Sequence, residues 1–220
     1  MSIELTASER IARIRSDFRM GVAVGFRSGL EKWLVASSET ITLSRFNGMR
    51  KLGPLELAIT DWRAQTLSTW ATDGDIARLA IPDDKDLDWV HSVCDPSDDF
   101  NTPLKGPFTP IFGGSADVSR TALAICKTAH LIPSAVMVNI TNQDVVGLDF
   151  IDLEQILSLI LNPSNQLIEV SAANVPLQVA EASRVHVFRP QDGGEEHYAI
   201  EIGNPDRNKS VLSRLHSACF

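Results

Sequence analysis

Helical periodicity marks the first stretch of the chain. Apolar residues recur there every three or four positions: Ile11, Ile14 and Phe18. Thr6 and Glu9 precede them in the order of a capping box, and Gly21 stands where helices commonly end. The pattern therefore predicts an amphipathic helix over residues 6–20 that packs on a sheet.

Short apolar runs bounded by turn residues follow this helix. They predict strands at residues 22–26, 33–37, 55–59, 76–81 and 135–140. Helical patterns lie between and after these strands, at residues 60–67, 115–131 and 153–161. Residues 95–114 are rich in Pro, Asp, Asn and Gly, which predicts a long loop that is either functional or mobile.

The pattern changes after Ser164. Residues 184–188, 197–202 and 211–215 largely alternate apolar and polar positions, and Gly-rich turns separate them. This predicts a three-strand antiparallel meander. Helices and strands intermix only before it, so we expect an α+β protein with a domain boundary between residues 162 and 180.

Composition narrows the function classes. The 220 residues are 44% hydrophobic with a net charge of −8, and no Lys/Arg cluster suits a phosphate backbone, so nucleic acid is not an expected partner. A nucleotide substrate needs only a few basic side chains in its site and is not excluded by this composition. No apolar run approaches the roughly 18 residues that suggest a membrane span, and we expect no membrane association.

The cysteines indicate a reducing compartment. There are three of them, Cys94, Cys126 and Cys219, and the N-terminus shows no signal-peptide pattern. We therefore expect a cytoplasmic protein with free thiols. Cys126 falls on the apolar face of the predicted helix 115–131, which favours an inert core thiol.

Polar chemistry is dense at the end of the sequence. Arg214, His216, Ser217 and Cys219 offer a phosphate-binding guanidinium, an imidazole, a hydroxyl and a thiol. In a strand, Arg214 and His216 would share one face. The alternative is a strand end with ordinary surface side chains, and one cysteine is a weak zinc signal because zinc sites use three or four ligands.

A resemblance to a known family covers this region. From about Asn174 the chain is similar to the opening of a GTP cyclohydrolase II catalytic domain, the enzyme that begins riboflavin synthesis. The matching runs are Val175-Pro176-Leu177, Val185-His186-Val187-Phe188, Gly194-Glu195-Glu196-His197-Tyr198-Ala199-Ile200 and Arg214-Leu215-His216-Ser217-Ala218-Cys219. The last three of these follow the family order of a strand with Phe, Gly-x-Glu-His-x-Ala, and Arg-Val-His-Ser-Glu-Cys.

The resemblance assigns roles to individual residues. It implies that Arg214, His216 and Ser217 belong to the GTP-binding stretch and that Cys219 is the first of three zinc-binding cysteines. Ala218 stands where the family usually has Glu, so that carboxylate is absent. The family's Thr-Gly-Asp and paired cysteines would follow Phe220, and we expect the sequence to be a truncated form.

The family hydrolyses GTP to a diaminopyrimidine ribosyl phosphate, formate and pyrophosphate, with zinc activating water and magnesium assisting at the phosphates. The resemblance thus implies zinc and magnesium as cofactors, GTP as partner and a homodimer as assembly. One candidate zinc ligand does not hold the ion. We therefore expect this chain alone to bind neither metal stably and to lack turnover.

The first 165 residues resemble a degenerate 3,4-dihydroxy-2-butanone-4-phosphate synthase. Only Glu31 remains of that family's acidic, magnesium-binding cluster in the run 27–35. The family's His, Thr and Glu of a Gly-His-Thr-Glu helix start, and a later strand Glu, fall on Val118, Ser119, Arg120 and Asn139. Synthase activity is therefore not expected, since its acid, base and cation ligands are missing.

These resemblances define the expected domains. They are a degenerate synthase-like domain over residues 1–165, a linker over 166–183, and the start of a cyclohydrolase II barrel over 184–220. Two alternatives stay open: a non-catalytic dimerisation or regulatory module, and a cyclohydrolase II relative in pyrimidine breakdown. The resemblance gives no role to three histidines, His91, His130 and His186. Gly113-Gly114 precedes a predicted helix whose N-terminus could receive a phosphate, but a glycine pair alone is a weak signal, and a plain turn is the alternative.

Overall fold

The computed structural model describes residues 5–143, 145, 149–161, 167–191 and 194–216. The chain divides into two compact units, Met1–Pro163 and Ser164–Phe220. Among the described residues, none of the helices combines the length and the apolar character needed to cross a membrane. Each unit is a separate structural body and is described by itself.

Unit 1 (Met1–Pro163) alternates helices and strands. Its helices are α1 Ala7–Arg19, α2 Leu43–Arg50, α3 Asp61–Thr66, α4 Leu87–Cys94, α5 Asp117–Thr128 and α6 Leu153–Leu161, with a short 3₁₀ turn at Pro96–Asp98. Its strands are β1 Val24–Ser28, β2 Glu31–Ser37, β3 Leu55–Thr60, β4 Ile76–Ile81, β5 Thr109–Pro110, β6 Ser134–Asn139 and β7 Phe150–Asp152.

The seven strands form one mixed sheet in the order β5-β4-β3-β6-β2-β1-β7. Neighbouring strands are antiparallel except β1 and β7, which run parallel. The register aligns Ala58 of β3 with Ala135 of β6, and Ala36 of β2 with Val136 of β6. Strands distant in sequence are thereby fixed side by side in the middle of the sheet.

Each face of the sheet carries its own hydrophobic core because side chains alternate along a strand. One core joins α1, α5 and α6 to residues such as Phe26, Val35 and Met137. The other joins α2, α3 and α4 to residues such as Leu57 and Val136. Unit 1 is therefore a helix–sheet–helix sandwich, which confirms the predicted α+β class.

The ends of α1 follow from its sequence. The Thr6 hydroxyl accepts from the Glu9 backbone N–H, and the Glu9 carboxylate accepts from the Thr6 backbone N–H at 2.8 Å. Gly21 adopts φ +66° after the last turn, and a Cβ there would meet the Thr40 carbonyl oxygen at 2.1 Å. Both predicted helix ends are confirmed, and only glycine fits the C-terminal one.

Helix α5 ends in a similar way on a histidine. His130 adopts φ +58°, its N–H donates to the Lys127 carbonyl, and the Leu131 N–H donates to the Cys126 carbonyl at 2.9 Å. These are the two hydrogen bonds of a Schellman motif. His130 therefore ends a helix, and α5 is shorter than the predicted 115–131.

Unit 2 (Ser164–Phe220) contains a separate three-stranded antiparallel sheet. Its strands are β8 Leu167–Asn174, β9 Arg184–Pro190 and β10 His197–Glu201, in the order β10-β9-β8. The predicted strands at 184–188 and 197–202 are confirmed. Among the described residues this sheet is open, since β8 and β10 each pair only with β9.

The third strand of this sheet differs from the prediction. Residues 211–215 form no strand and are exposed, so that expectation was wrong. Strand β8 takes the place instead, within the segment 166–183 that was expected to be a linker. A bulge between Glu169 and Ser171 shifts the register of β8 against β9.

Candidate functional site

Unit 1 places several charged side chains on the α5 face of its sheet. Arg78 of β4 and Glu56 of β3 project from strands whose other residues are largely apolar. Sequence reasoning missed both residues. The signal that could have found them is a charge inside an otherwise apolar strand, since such a charge needs a partner when buried.

Arg78 is 4% exposed and forms hydrogen bonds with its neighbours. Its guanidinium donates to both carboxylate oxygens of Asp73, at 2.9 and 3.0 Å, and to the Gly113 carbonyl oxygen at 2.6 Å. Burial raises the pKa of Asp73, but hydrogen bonds from Arg78 and Thr72 outweigh it and hold that pKa below its usual value. The cluster fixes the loop that precedes α5.

The two glycines of that loop have a structural role. Gly113 and Gly114 adopt φ +77° and +72°, a conformation that favours glycine. The Gly113 carbonyl already binds Arg78, and the first turn of α5 contains Asp117. A carboxylate at that position competes with an anion at the helix N-terminus, so the geometry favours the turn over a phosphate site.

Glu56 is a carboxylate with an unsatisfied atom. Its Oε2 is buried without a hydrogen-bond partner. Burial raises the pKa of Glu56, the charge of Arg78 opposes this, and the charge of Glu31 adds to it. Glu56 thus lies within electrostatic range of Glu31, the residue that the sequence singled out.

The positions aligned with the synthase motif have other partners. Glu31 accepts from the Trp33 indole N–H at 3.0 Å. Arg120 donates to both oxygens of Asp75, at 2.9 to 3.0 Å, and this raises the pKa of Arg120. The Asn139 side chain accepts from Thr141.

The two remaining positions of that motif lie in the interior. Val118 is 3% exposed and Ser119 is 2% exposed, and the Ser119 hydroxyl donates to the Met137 sulfur. These residues do not supply the acid, base or carboxylate ligands of the synthase pattern. Over the part of the chain that the structure describes, no group of three or more His, Cys, Asp or Glu side chains could hold a metal ion.

A second polar cluster lies on the opposite side of the sheet, in the predicted loop 95–114. Arg63 of α3 donates to Asp99 Oδ2 at 2.6 Å and Oδ1 at 2.7 Å, and Lys105 also donates to Asp99 Oδ1. The hydrogen bonds from Arg63 lower the pKa of Asp99, burial opposes them, and Lys105 lowers it further, so it lies well below its usual range. The first half of this loop is thereby tied to the sandwich.

The candidate residues of unit 2 are only partly described. Arg214 and His216 are exposed and lie outside the three strands, so the expected common strand face is not formed. Ser217 and Cys219 lie outside the described residues. The structure therefore leaves their proposed GTP and zinc roles as predictions.

One histidine of unit 2 does have a defined setting. His186 Nδ1 lies 3.0 Å from Glu169 Oε1, and its Nε2 lies 3.8 Å from Glu201 Oε2 and has no hydrogen-bond partner. Arg207 donates to the same Glu201 oxygen at 3.0 Å. The sequence analysis assigned no role to His186, because the strand register that brings these groups together cannot be read from the sequence alone.

The two described cysteines are buried. Cys126 is 0% exposed, and burial raises the pKa of its thiol to about 12, while burial also raises that of Cys94. A thiol that stays protonated is a poor nucleophile and metal ligand. The prediction that Cys126 is a core thiol is confirmed.

The fold defines the structural class of unit 1. The chain aligns with the crystal structure of a 3,4-dihydroxy-2-butanone 4-phosphate synthase in its cation-free form, with a TM-score of 0.50 and 15% identity. The alignment covers 70% of this chain and 98% of that structure. The synthase of Candida albicans aligns over 68% of this chain with a TM-score of 0.48 and adds nothing to the assignment. The predicted resemblance to the synthase fold is confirmed.

The sequence relationship points to a second enzyme. This chain is 29% identical over 226 aligned positions to GTP cyclohydrolase-2 of Azospirillum brasilense. The alignment covers 98% of this chain and 56% of that protein, so the chain spans about half the length of its curated relative. No protein-family model matches the sequence. The suspected resemblance to GTP cyclohydrolase II is thus confirmed as a similarity.

Proposed function

We propose that this chain is the N-terminal part of a GTP cyclohydrolase II-like protein related to riboflavin biosynthesis. The observation that carries the proposal is the 29% identity to GTP cyclohydrolase-2 along 98% of the chain. The alignment runs through both units, so it includes the synthase-like sandwich as well as the three-stranded sheet. The activity that the resemblance implies is hydrolysis of GTP with release of formate and pyrophosphate.

Under this proposal, unit 2 contributes the first edge of a GTP and zinc site. Arg214, His216 and Ser217 would contact the nucleotide, and Cys219 would be one zinc ligand. Three protein ligands and an open position are what a catalytic zinc requires. Because this chain spans about half of the related enzyme, we propose that it does not turn over GTP by itself.

The test joins this chain after Phe220 to the remaining C-terminal part of the Azospirillum brasilense enzyme and measures formate release from GTP. Cys219→Ser in this fusion should remove zinc and reduce turnover by at least about a hundredfold. Lys209→Ala is the matched control, since that side chain is exposed and only pairs with Asp206. Equal turnover in the Cys219→Ser and Lys209→Ala fusions would refute the assigned role.

A second candidate function is a dimerisation module. It is favoured by several large apolar side chains of unit 1 that are exposed, among them Trp62, Trp70, Phe100, Leu104 and Phe112. Light scattering after size-exclusion chromatography should give twice the chain mass, and Phe100→Ser, which alters a ring that is 97% exposed, should weaken the dimer. A monomer at all concentrations would eliminate this candidate.

A further inference from the structure

The sheet of unit 2 has two chemically different faces. Residues directly opposite each other on neighbouring strands share a face, and the faces alternate along each strand. The register pairs Tyr198 with Val187 and Ile200 with Val185, so these four side chains lie on one face. The pairing of β8 with β9 places Ile168 on the same side. These five residues are called the apolar face of unit 2.

The opposite face carries a connected set of polar side chains. His186 Nδ1 lies 3.0 Å from Glu169 Oε1, and its Nε2 lies 3.8 Å from Glu201 Oε2. The His186 ring also stacks on Phe188, with ring centroids 6.5 Å apart. Only 12% of the His186 side chain is exposed, so this face covers its middle strand with its own residues.

The apolar face lacks such a cover from the described residues. Tyr198 is 57% exposed, Ile200 56% and Ile168 47%, and Val185 and Val187 on the middle strand are only half-buried. Antiparallel sheets commonly pack one face on a core, and a three-stranded sheet gains stability when an apolar face is packed. The apolar face is therefore the side of this sheet that offers a surface to a further polypeptide.

A polar rim lies at one end of the apolar face. The Arg189 guanidinium donates to Glu196 Oε1 at 2.9 and 2.6 Å, and the Tyr198 hydroxyl donates to Glu196 Oε2 at 3.1 Å. An apolar centre with a polar edge is the usual composition of a protein–protein interface. Small ligands, in contrast, bind in concave sites, so this surface fits a polypeptide.

The sequence relationship indicates which polypeptide this is. The similarity to GTP cyclohydrolase-2 runs through 98% of this chain but covers only 56% of that protein. Under the proposed function, the part outside the alignment follows Phe220 and continues the domain that unit 2 begins. Because it is covalently attached, its effective concentration at unit 2 is high, which favours it over a second copy of this chain.

We propose that the apolar face of unit 2 is the surface on which the C-terminal part of a GTP cyclohydrolase II-like protein packs. The identity of the occupant rests on the proposed function. The surface itself is formed by residues to which that function assigns no contact with GTP or zinc, and its packing can be measured without catalysis.

Tyr198 is the only tyrosine in the sequence and is therefore a specific probe of this face. Hydroxyl-radical footprinting with mass spectrometry compares its oxidation in the 220-residue chain and in the fusion to the C-terminal part of the Azospirillum brasilense enzyme. Because interface cores pack as densely as protein interiors, oxidation should be at least about fivefold slower in the fusion. Met20 of unit 1, which is 59% exposed, is the internal reference and should react equally in both.

Two lysine substitutions form a matched pair. Ile200→Lys places a charge on the apolar face, whereas Val179→Lys places it in the β8–β9 connection, where Val179 is 87% exposed. In the Ile200→Lys fusion, Tyr198 oxidation should return to within about twofold of the rate in the 220-residue chain, because an ammonium group is costly to bury in an apolar interface. The Val179→Lys fusion should keep the full protection of Tyr198.

Three results would overturn the proposal. They are equal oxidation of Tyr198 in the chain and the fusion, protection that survives Ile200→Lys, and protection in the 220-residue chain alone that rises with concentration, since a second copy would then cover the face. An active fusion with unprotected Tyr198 overturns this surface and leaves the proposed function intact. An inactive fusion with protected Tyr198 supports the surface and counts against the proposed function.

Discussion

Asp99 balances two cations with one carboxylate. Arg63 and Lys105 are 9% and 7% exposed, and both donate to this side chain. Arg63 also donates to the carbonyl oxygens of Val93 and Ser92 near the end of α4. Arg63 therefore connects α3 with α4 and with the loop that contains Asp99. Loss of the Asp99 carboxylate would leave the buried charges of Arg63 and Lys105 without compensation.

Asp99→Asn should lower the free energy of unfolding by about 2–4 kcal/mol, because it keeps the shape and removes the charge that Arg63 and Lys105 require. Urea unfolding at pH 7 measures this. Asp84→Asn is the control, since Asp84 pairs with Lys85 through side chains that are 74% and 40% exposed. The control should change stability by less than about 1 kcal/mol, and equal effects would contradict the assigned role.

The interaction of Asp99 with Arg63 and Lys105 also predicts that the stability of the fold depends on pH. The pKa of Asp99 in the folded protein is below its ordinary value of 3.8, so its contribution is complete above about pH 5 and is lost as the pH falls towards the folded-state pKa. The stability difference between the wild type and Asp99→Asn should therefore shrink below pH 4. A difference that stays constant from pH 7 to pH 3 would contradict this linkage.

At the scale of elements, the segments that could be predicted best from the sequence are those whose ends carry capping residues. Helix α1 has a capping box and a C-terminal glycine, and both were predicted. Helix α2 was missed, because only Phe46 and Met49 of its residues are buried and they form no regular stripe. Strand β7 was also missed, since three residues paired in parallel with β1 give no periodic signal.

Thr6→Ala should cost about 1 kcal/mol of stability, because it removes the hydroxyl that accepts from the Glu9 N–H. Thermal unfolding at pH 7 measures the change. Ser16→Ala is a matched control on the same helix, since Ser16 is exposed and mid-helical and alanine has the higher helix propensity. If Thr6→Ala were no more destabilising than Ser16→Ala, the capping box would have no energetic role.

Charges inside the sheet could not be placed from the sequence. The sequence predicted the strands that contain Glu56 and Arg78, but the partner Asp73 lies in a turn before β4 and Gly113 lies beyond β5. Glu31 was selected by its resemblance to an acidic cluster, and its proximity to Glu56 depends on the order of strands in the sheet. Tertiary register, rather than local pattern, assembles this region.

At the scale of the whole molecule, the buried apolar residues are concentrated in unit 1. Within the described part of the chain they run from Ile11 to Ile160. The described strands of unit 2 are exposed or half-buried, and their sheet carries residues such as Tyr198 and Ile200 that are more than half exposed. Unit 1 thus has a complete core of its own, whereas the sequence similarity to GTP cyclohydrolase-2 extends through both units.

Formate release from GTP tests the central proposal most directly. The 220-residue chain and its fusion to the C-terminal part of the Azospirillum brasilense enzyme are compared with zinc and magnesium present. We expect formate in proportion to GTP consumed by the fusion and no formate above background from the 220-residue chain. Turnover by the shorter chain, or an inactive fusion that is folded and zinc-loaded, would contradict the proposal.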